Sequence, residues 1–365
     1  MRSSLFYSGS AKDAGEKLQE GFDQFYHTTQ KWMDIIASAP SPQTGLTPKD
    51  VIWRKNKAEL YRYRAVKDKV HPVPVLMLYA LINKPYILDL YPGNSLVEYL
   101  VNNGFDVYML DWGTPSWEDK DLSFNELILD YILRAVEKVA QTSGTKELTL
   151  LGYCMGGTMS VIYTALQREP IVRNMVLIAA PIDFTDAGIC GIWVKRPDFN
   201  LEKVVDTYGL IPSDFIDNGT KILNPVNNYL GTYTRLWKMI YNDIPVQSWM
   251  ALNKWVNDGV PFPGGAYRQW IGLYKENSLV KKEFTLRGYR VDLAHIESSV
   301  LALAGGNDHI VLPGQVKAIL EHISAQDKTY LEFPVGHGGL VFGSLAVKKV
   351  FPAIKQWLEE RSLYV

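Results

Sequence analysis

The residues Gly152-Tyr153-Cys154-Met155-Gly156 set a cysteine between glycines, after the apolar run Leu148-Thr149-Leu150-Leu151 and before a helix-like segment from Thr158 to Gln167. A strand, a glycine-flanked turn and a helix in that order present a nucleophile on a sharp bend. Glycine suits the turn because neighbouring backbones crowd it and leave no room for a Cβ. The nucleophile then stands at a helix N-terminus, where unpaired N–H groups and the helix dipole favour an anion. At that position cysteine is favoured as thiolate, both a good nucleophile and a good leaving group for thioesters. The chemistry expected is acyl transfer through a covalent thioester.

Such a turn is the nucleophile elbow of α/β-hydrolases, whose partners follow in the order acid, then histidine, each after a late strand. Here Val300-Leu301-Ala302-Leu303-Ala304 ends in Gly305-Gly306-Asn307-Asp308, and Tyr330-Leu331-Glu332-Phe333 ends in Pro334-Val335-Gly336-His337-Gly338-Gly339. Asp308 would fix the tautomer of His337 and stabilise its imidazolium, and His337 would take the Cys154 proton. His309 adjoins the acid but precedes the last strand, so His337 is preferred. An oxyanion hole needs two backbone donors. Met155, the residue after the nucleophile, supplies one, and Ile82, in the loop Ala80-Leu81-Ile82-Asn83 after an early strand, supplies the other. Asp111 ends another strand in Asp111-Trp112-Gly113; it could face the site or serve as a turn or helix cap.

These residues need a scaffold of alternating elements. Candidate strands are Leu60 to Val66, Val73 to Tyr79, Asp106 to Leu110, Glu147 to Leu151, Met175 to Ile178, Val300 to Ala304 and Thr329 to Phe333. Helical patterns fall at Ser95 to Asn102, Leu122 to Thr142 and Thr158 to Gln167. The alternation predicts an α/β class: an α/β-hydrolase fold, with a mostly parallel sheet flanked by helices. Residues 183–295 fall outside the rhythm, rich in Pro, Trp, Tyr and Asn, and read as an inserted cap. The chain thus divides into an N-terminal helical segment (1–44), a first core part (45–182), the cap (183–295) and a second core part (296–365). In the first of these, residues 10–37 carry an apolar stripe including Leu18, Phe22, Phe25, Trp32 and Ile36. That stripe suits packing on the domain or docking a partner equally well.

The bulk numbers exclude several classes. The 365 residues are 47% hydrophobic and 21% charged, as in an ordinary globular protein, and the net charge of −1 gives no field to draw nucleic acid or anionic membrane. The short basic run Lys67-Asp68-Lys69 reads as a solvated turn. The longest apolar runs, such as Val73 to Ile82, are too short to span a bilayer. With no secretory leader pattern at Met1, a reducing cytoplasm is expected, with Cys154 and Cys190 as free thiols and Cys190 structural. Neither zinc-ligand spacing nor a nucleotide-binding fingerprint is present, so no metal and no cofactor is expected.

Taken together, Gly152-Tyr153-Cys154-Met155-Gly156-Gly157, the run from Tyr79 to Asp89, Asp111-Trp112-Gly113 and the cap segment from Lys254 to Pro263 resemble the polyhydroxyalkanoate synthases, over about Gly45 to Arg361. The resemblance implies polymerisation of (R)-3-hydroxyacyl-CoA into a growing polyester chain with release of CoA. It places the nucleophile on Cys154, the acid on Asp308 and the base on His337, with Asp89, Asp111 and Trp112 as substrate-binding or supporting candidates. The length is similar to that of the two-subunit classes, which implies a second, different subunit; the Gly-Tyr-Cys-Met-Gly-Gly form leans toward the Bacillus-type class IV rather than class III. A homodimer of the catalytic subunit, located in the cytoplasm at the surface of polymer granules, is expected. Two other readings stand beside this one: a cysteine-dependent thioesterase or intracellular polyester depolymerase of the same fold, and a non-catalytic granule-binding protein on a hydrolase scaffold. Whether His337 or Asp308 activates the acceptor hydroxyl stays open at this level.

Overall fold

A computed structural model describes residues 11–66, 71–167, 171–223 and 231–362; the basic run Lys67-Asp68-Lys69 lies outside them. Its centre is an eight-stranded sheet. In chain order the strands are β1 (Lys49–Lys55), β2 (Ala58–Tyr63), β3 (Val75–Leu78), β4 (Val107–Asp111), β5 (Leu148–Tyr153), β6 (Val172–Ile178), β7 (Ser299–Gly305) and β8 (Lys328–Phe333). Across the sheet they run β1-β2-β4-β3-β5-β6-β7-β8. The β1–β2 and β2–β4 pairs are antiparallel, and every later pair is parallel. Parallel strands need crossovers and so are covered by helices on both faces. Accordingly β3 and β5 are buried along their whole length, without alternation.

Seven of the strands coincide with those expected from the sequence, within a few residues at each end. β1 is the addition. Its sequence, Lys-Asp-Val-Ile-Trp-Arg-Lys, is mostly exposed or half-buried because it lies at the sheet edge, so it carries no clean apolar alternation. The helical stretch expected from Leu122 to Thr142 is interrupted: a π-helical turn at Leu127–Ile132 separates Phe124–Glu126 from the helix Leu133–Ser143. The helix after the nucleophile starts at Met155, earlier than Thr158, and ends at Leu166.

Contacts divide the chain into two compact units, one of residues 1–42 with 224–254 and one of residues 43–223 with 255–365. This division cuts across the segment boundaries read from the sequence. In the smaller unit the helix Ala11–Ser38 packs along Thr232–Tyr241. Phe25 meets Trp237 with ring centroids 5.3 Å apart, and Trp32 Nε1 donates to the Tyr233 carbonyl at 3.3 Å. Leu236, Ile240 and Trp249 form its buried core, against which Trp32 and Ile35 pack. Leu18 and Phe22 stay exposed on the same helix. In the larger unit, the insertion between β6 and β7 includes the helix Gly264–Glu276, which buries Tyr267, Trp270 and Tyr274. Among the described residues, no helix is long and apolar enough to cross a membrane.

Candidate active site

The elbow is built from two adjacent strands and two glycines. Cys154 follows β5 directly, and its N–H donates to the Ile178 carbonyl at the end of β6, at 2.8 Å. Its carbonyl accepts from Gly157 N–H at 2.9 Å, opening the helix. The turn forces Cys154 to φ 54°, ψ −126°, a left-handed backbone that an L-residue holds only under constraint. Gly152 and Gly156 are required by space. A Cβ on Gly152 would lie 2.3 Å from Gly157 Cα, and one on Gly156 would lie 2.4 Å from the Leu78 carbonyl oxygen at the end of β3. The bend is thus pressed between its own helix and the neighbouring strand.

Strand register brings the other two residues together. β7 and β8 are parallel with Gly305 opposite Phe333, so the loops that follow leave the sheet side by side. Gly306 N–H donates to the Phe333 carbonyl at 2.7 Å and Asn307 N–H to that of Val335 at 3.0 Å. The loops deliver Asp308 Oδ2 to His337 Nδ1 at 2.7 Å. The other oxygen, Oδ1, accepts from the N–H groups of Ile310 at 2.9 Å and Val311 at 3.0 Å. The Asp308 side chain is 0% exposed.

The electrostatics follow from this packing. Burial alone would push the Asp308 carboxyl up, but the His337 charge and the hydrogen bonds from His337, Val311 and Ile310 outweigh it and hold the carboxyl below its usual range. Burial alone would likewise push His337 down. The nearby Asp308 and Cys154 and the hydrogen bond to Asp308 raise it instead, to about 10. The Asp308 carboxylate beside the imidazole therefore favours its protonated form.

The remaining candidates fall into two groups. Met155 is buried at the first position of its helix, and Ile82 is half-buried in the loop after β3. The Ile82 carbonyl accepts from Val260 N–H at 3.0 Å. Asp89 and Asp111 line a cavity of about 220 Å³, with Lys49, Tyr61, Tyr86 and Asp258 among its other walls. Both carboxylates are engaged there: Asp89 with the Thr47 and Ser95 hydroxyls, Asp111 with Gly113 N–H and the Tyr61 hydroxyl. Trp112 is buried and donates Nε1–H to the Tyr79 carbonyl at 3.1 Å. The structure therefore unites Cys154, Asp308 and His337, and uses Asp89, Asp111 and Trp112 to brace the surrounding loops.

Sequence reasoning missed two features of the site. The Tyr153 ring lies against His337 with centroids 5.2 Å apart, and its buried hydroxyl has no hydrogen-bond partner among the described residues. Tyr274, on the helix Gly264–Glu276, is buried, and burial above all raises its phenol well above the ordinary range. Cys190 is half-buried, and burial pushes its thiol up to about 11, as befits an unreactive cysteine.

Comparison with known proteins now decides the family. Residues 73–344 match the model of the alpha/beta hydrolase fold, and residues 15–100 that of the Poly-beta-hydroxybutyrate polymerase (PhaC) N-terminus. The poly(3-hydroxyalkanoate) polymerase subunit PhaC of Haloferax mediterranei is 38% identical, over 96% of this chain and 72% of its own length. The chain belongs to the poly(3-hydroxyalkanoate) polymerase family. The PhaC subunit of Synechocystis sp. is 34% identical over 94% of both chains, and that of Allochromatium vinosum 33% identical over 95% of this chain and 98% of its own. Among solved structures, a monoacylglycerol lipase of Paleococcus ferrophilus aligns with a TM-score of 0.52 at 20% identity, covering 83% of this chain and 99% of that one. A soluble variant of monoglyceride lipase from Saccharomyces cerevisiae aligns with a TM-score of 0.52 at 14% identity, covering 89% and 100%. These lipases share the fold; the polymerases share the family, and this member is a polyhydroxyalkanoate synthase, an acyltransferase.

Proposed function

We propose that this polymerase joins (R)-3-hydroxyacyl-CoA units, 3-hydroxybutyryl-CoA first among them, into polyester through a thioester on Cys154. The observation that carries the reading is the 2.7 Å hydrogen bond between His337 and buried Asp308, at the end of the sheet where the elbow presents Cys154. The Cys154 thiolate attacks the acyl thioester carbon, and the N–H groups of Met155 and Ile82 receive the oxyanion. The C–S bond to CoA then breaks, and the departing thiolate takes the imidazolium proton. His337, now neutral, accepts the proton of an incoming 3-hydroxyl as that oxygen attacks the acyl-enzyme. An ester forms, and Cys154 leaves as thiolate beside a restored imidazolium. Asp308 is poorly placed for that second proton, because both of its oxygens are already occupied and its side chain is closed to solvent.

Residues 183–295, inserted between β6 and β7, are assigned as the cap. A second, different subunit of the class IV kind, a homodimer of this chain and a place at the polymer granule surface complete the reading. Incubation with (R)-3-hydroxybutyryl-CoA tests it. Insoluble polymer with stoichiometric CoA is expected, and Cys154→Ser should lose nearly all of it while remaining folded. Free hydroxy acid with CoA would instead identify a hydrolase, and full activity in the serine variant would sink the thioester.

A further inference from the structure

The oxyanion loop is held from outside the hydrolase core. On the core side, the Tyr79 hydroxyl donates to the Asn83 carbonyl at 2.5 Å, closing the loop on the end of β3. On the other side it meets one short stretch of the insertion, Trp255 to Val260. Val260 N–H donates to the Ile82 carbonyl at 3.0 Å, and Trp255 Nε1–H donates to that of Lys84 at 2.8 Å. Asn83 Nδ2 donates to the Trp255 carbonyl at 3.4 Å, and the Tyr86 hydroxyl donates to Asp258 Oδ2 at 2.5 Å. Each residue from Ile82 to Tyr86 except Pro85 is thus tied to this stretch. A backbone donor that sits on a loop is aimed only as well as the loop is fixed.

We propose that Trp255–Val260 is a latch that aims the Ile82 N–H at the oxyanion, with Trp255, Asp258 and Tyr86 as positioning residues for acylation. The proposal rests on the reading of Ile82 as an oxyanion donor. It assigns these side chains a role in the rate of the chemical step, not in holding acyl-CoA. Because the latch belongs to the insertion, the hole is complete only while this stretch is docked on the loop.

The test uses Trp255→Phe and Tyr86→Phe, which each remove one donor and keep an aromatic side chain, and the pair combined. Stopped-flow CoA release gives the acylation rate and its KM, and iodoacetamide alkylation of Cys154 reports a thiolate that needs no oxyanion hole. Each single variant should lose about 10-fold in acylation rate and the double variant about 100-fold, with KM and alkylation unchanged. Asp258→Asn, which keeps an acceptor for Tyr86, should retain the rate that Asp258→Ala loses. An unchanged rate in the double variant, or a raised KM at unchanged rate, would overturn the latch. Ile82→Pro deletes the donor itself. If it acylates normally with normal alkylation, the reading of Ile82 falls; if it alone is slow and the Phe variants are not, only the latch falls. The Phe variants, not the proline, decide the latch.

Discussion

The Asp308 carboxylate and the His337 imidazole meet at 2.7 Å, with the second carboxylate oxygen anchored by two backbone N–H groups. The acid is therefore fixed before substrate arrives, and the ring orientation follows from it. Asp308→Asn keeps the shape but removes the charge that holds the imidazolium and lets the ring choose its tautomer. CoA release from 3-hydroxybutyryl-CoA should fall by about 10²–10⁴-fold, with little change in KM. A loss below threefold would mean that Asp308 only shapes the loop.

The strain at Cys154 can be weighed apart from its chemistry. Cys154→Ala and Cys154→Gly both delete the thiol, but alanine must keep φ 54° with a Cβ, and glycine does so freely. The glycine variant should be more stable than the alanine variant by about 1–2 kcal/mol, since relief of the backbone exceeds the added unfolded-state entropy. Urea unfolding of the two proteins measures the difference. Equal midpoints would show that the elbow carries no strain.

Gly156 answers a different question, how tightly the bend is pressed on β3. Its missing Cβ leaves room for the Leu78 carbonyl, which an alanine would meet at 2.4 Å. A backbone neighbour cannot swing aside as a side chain can, so the elbow must move. Gly156→Ala should destabilise by about 1–3 kcal/mol and slow acylation, because Cys154 leaves its line with His337. Thermal unfolding together with stopped-flow CoA release checks both halves.

Much of this was legible in the chain because the site obeys local rules. Gly152, Cys154 and Gly156 mark a turn whose glycines have steric reasons, and Asp308 and His337 each end an apolar strand. The helix begins at Met155, earlier than Thr158, with Gly156 in its first turn allowing the close approach of β3. What periodicity could not reveal is contact between distant loops. The Trp255 and Lys84 bond spans 171 residues and the Tyr86 and Asp258 bond 172, between stretches without repeat or alternation. The packing of Phe25 on Trp237 was hidden for the same reason.

The charge state of His337 makes stability depend on pH in a definite direction. Its pKa is raised in the folded protein, from 6.5 to about 10, so the folded state holds a proton that the unfolded chain gives up. The stabilisation is fully present below about pH 6.5 and is lost progressively as pH rises toward 10. Asp308 works in the opposite sense: its lowered pKa gives stability that is present above its ordinary 3.8 and lost as pH falls below it. Unfolding midpoints measured from pH 6 to 10 should therefore decline more steeply in the native protein than in His337→Gln, which carries no titrating ring. Alkylation of Cys154 at pH 7 should slow about 10-fold in the same variant, since His337 can no longer take the Cys154 proton. Parallel pH profiles of stability for the two proteins, with unchanged alkylation, would show that the imidazolium is absent from the resting site and that His337 enters the reaction as a neutral base.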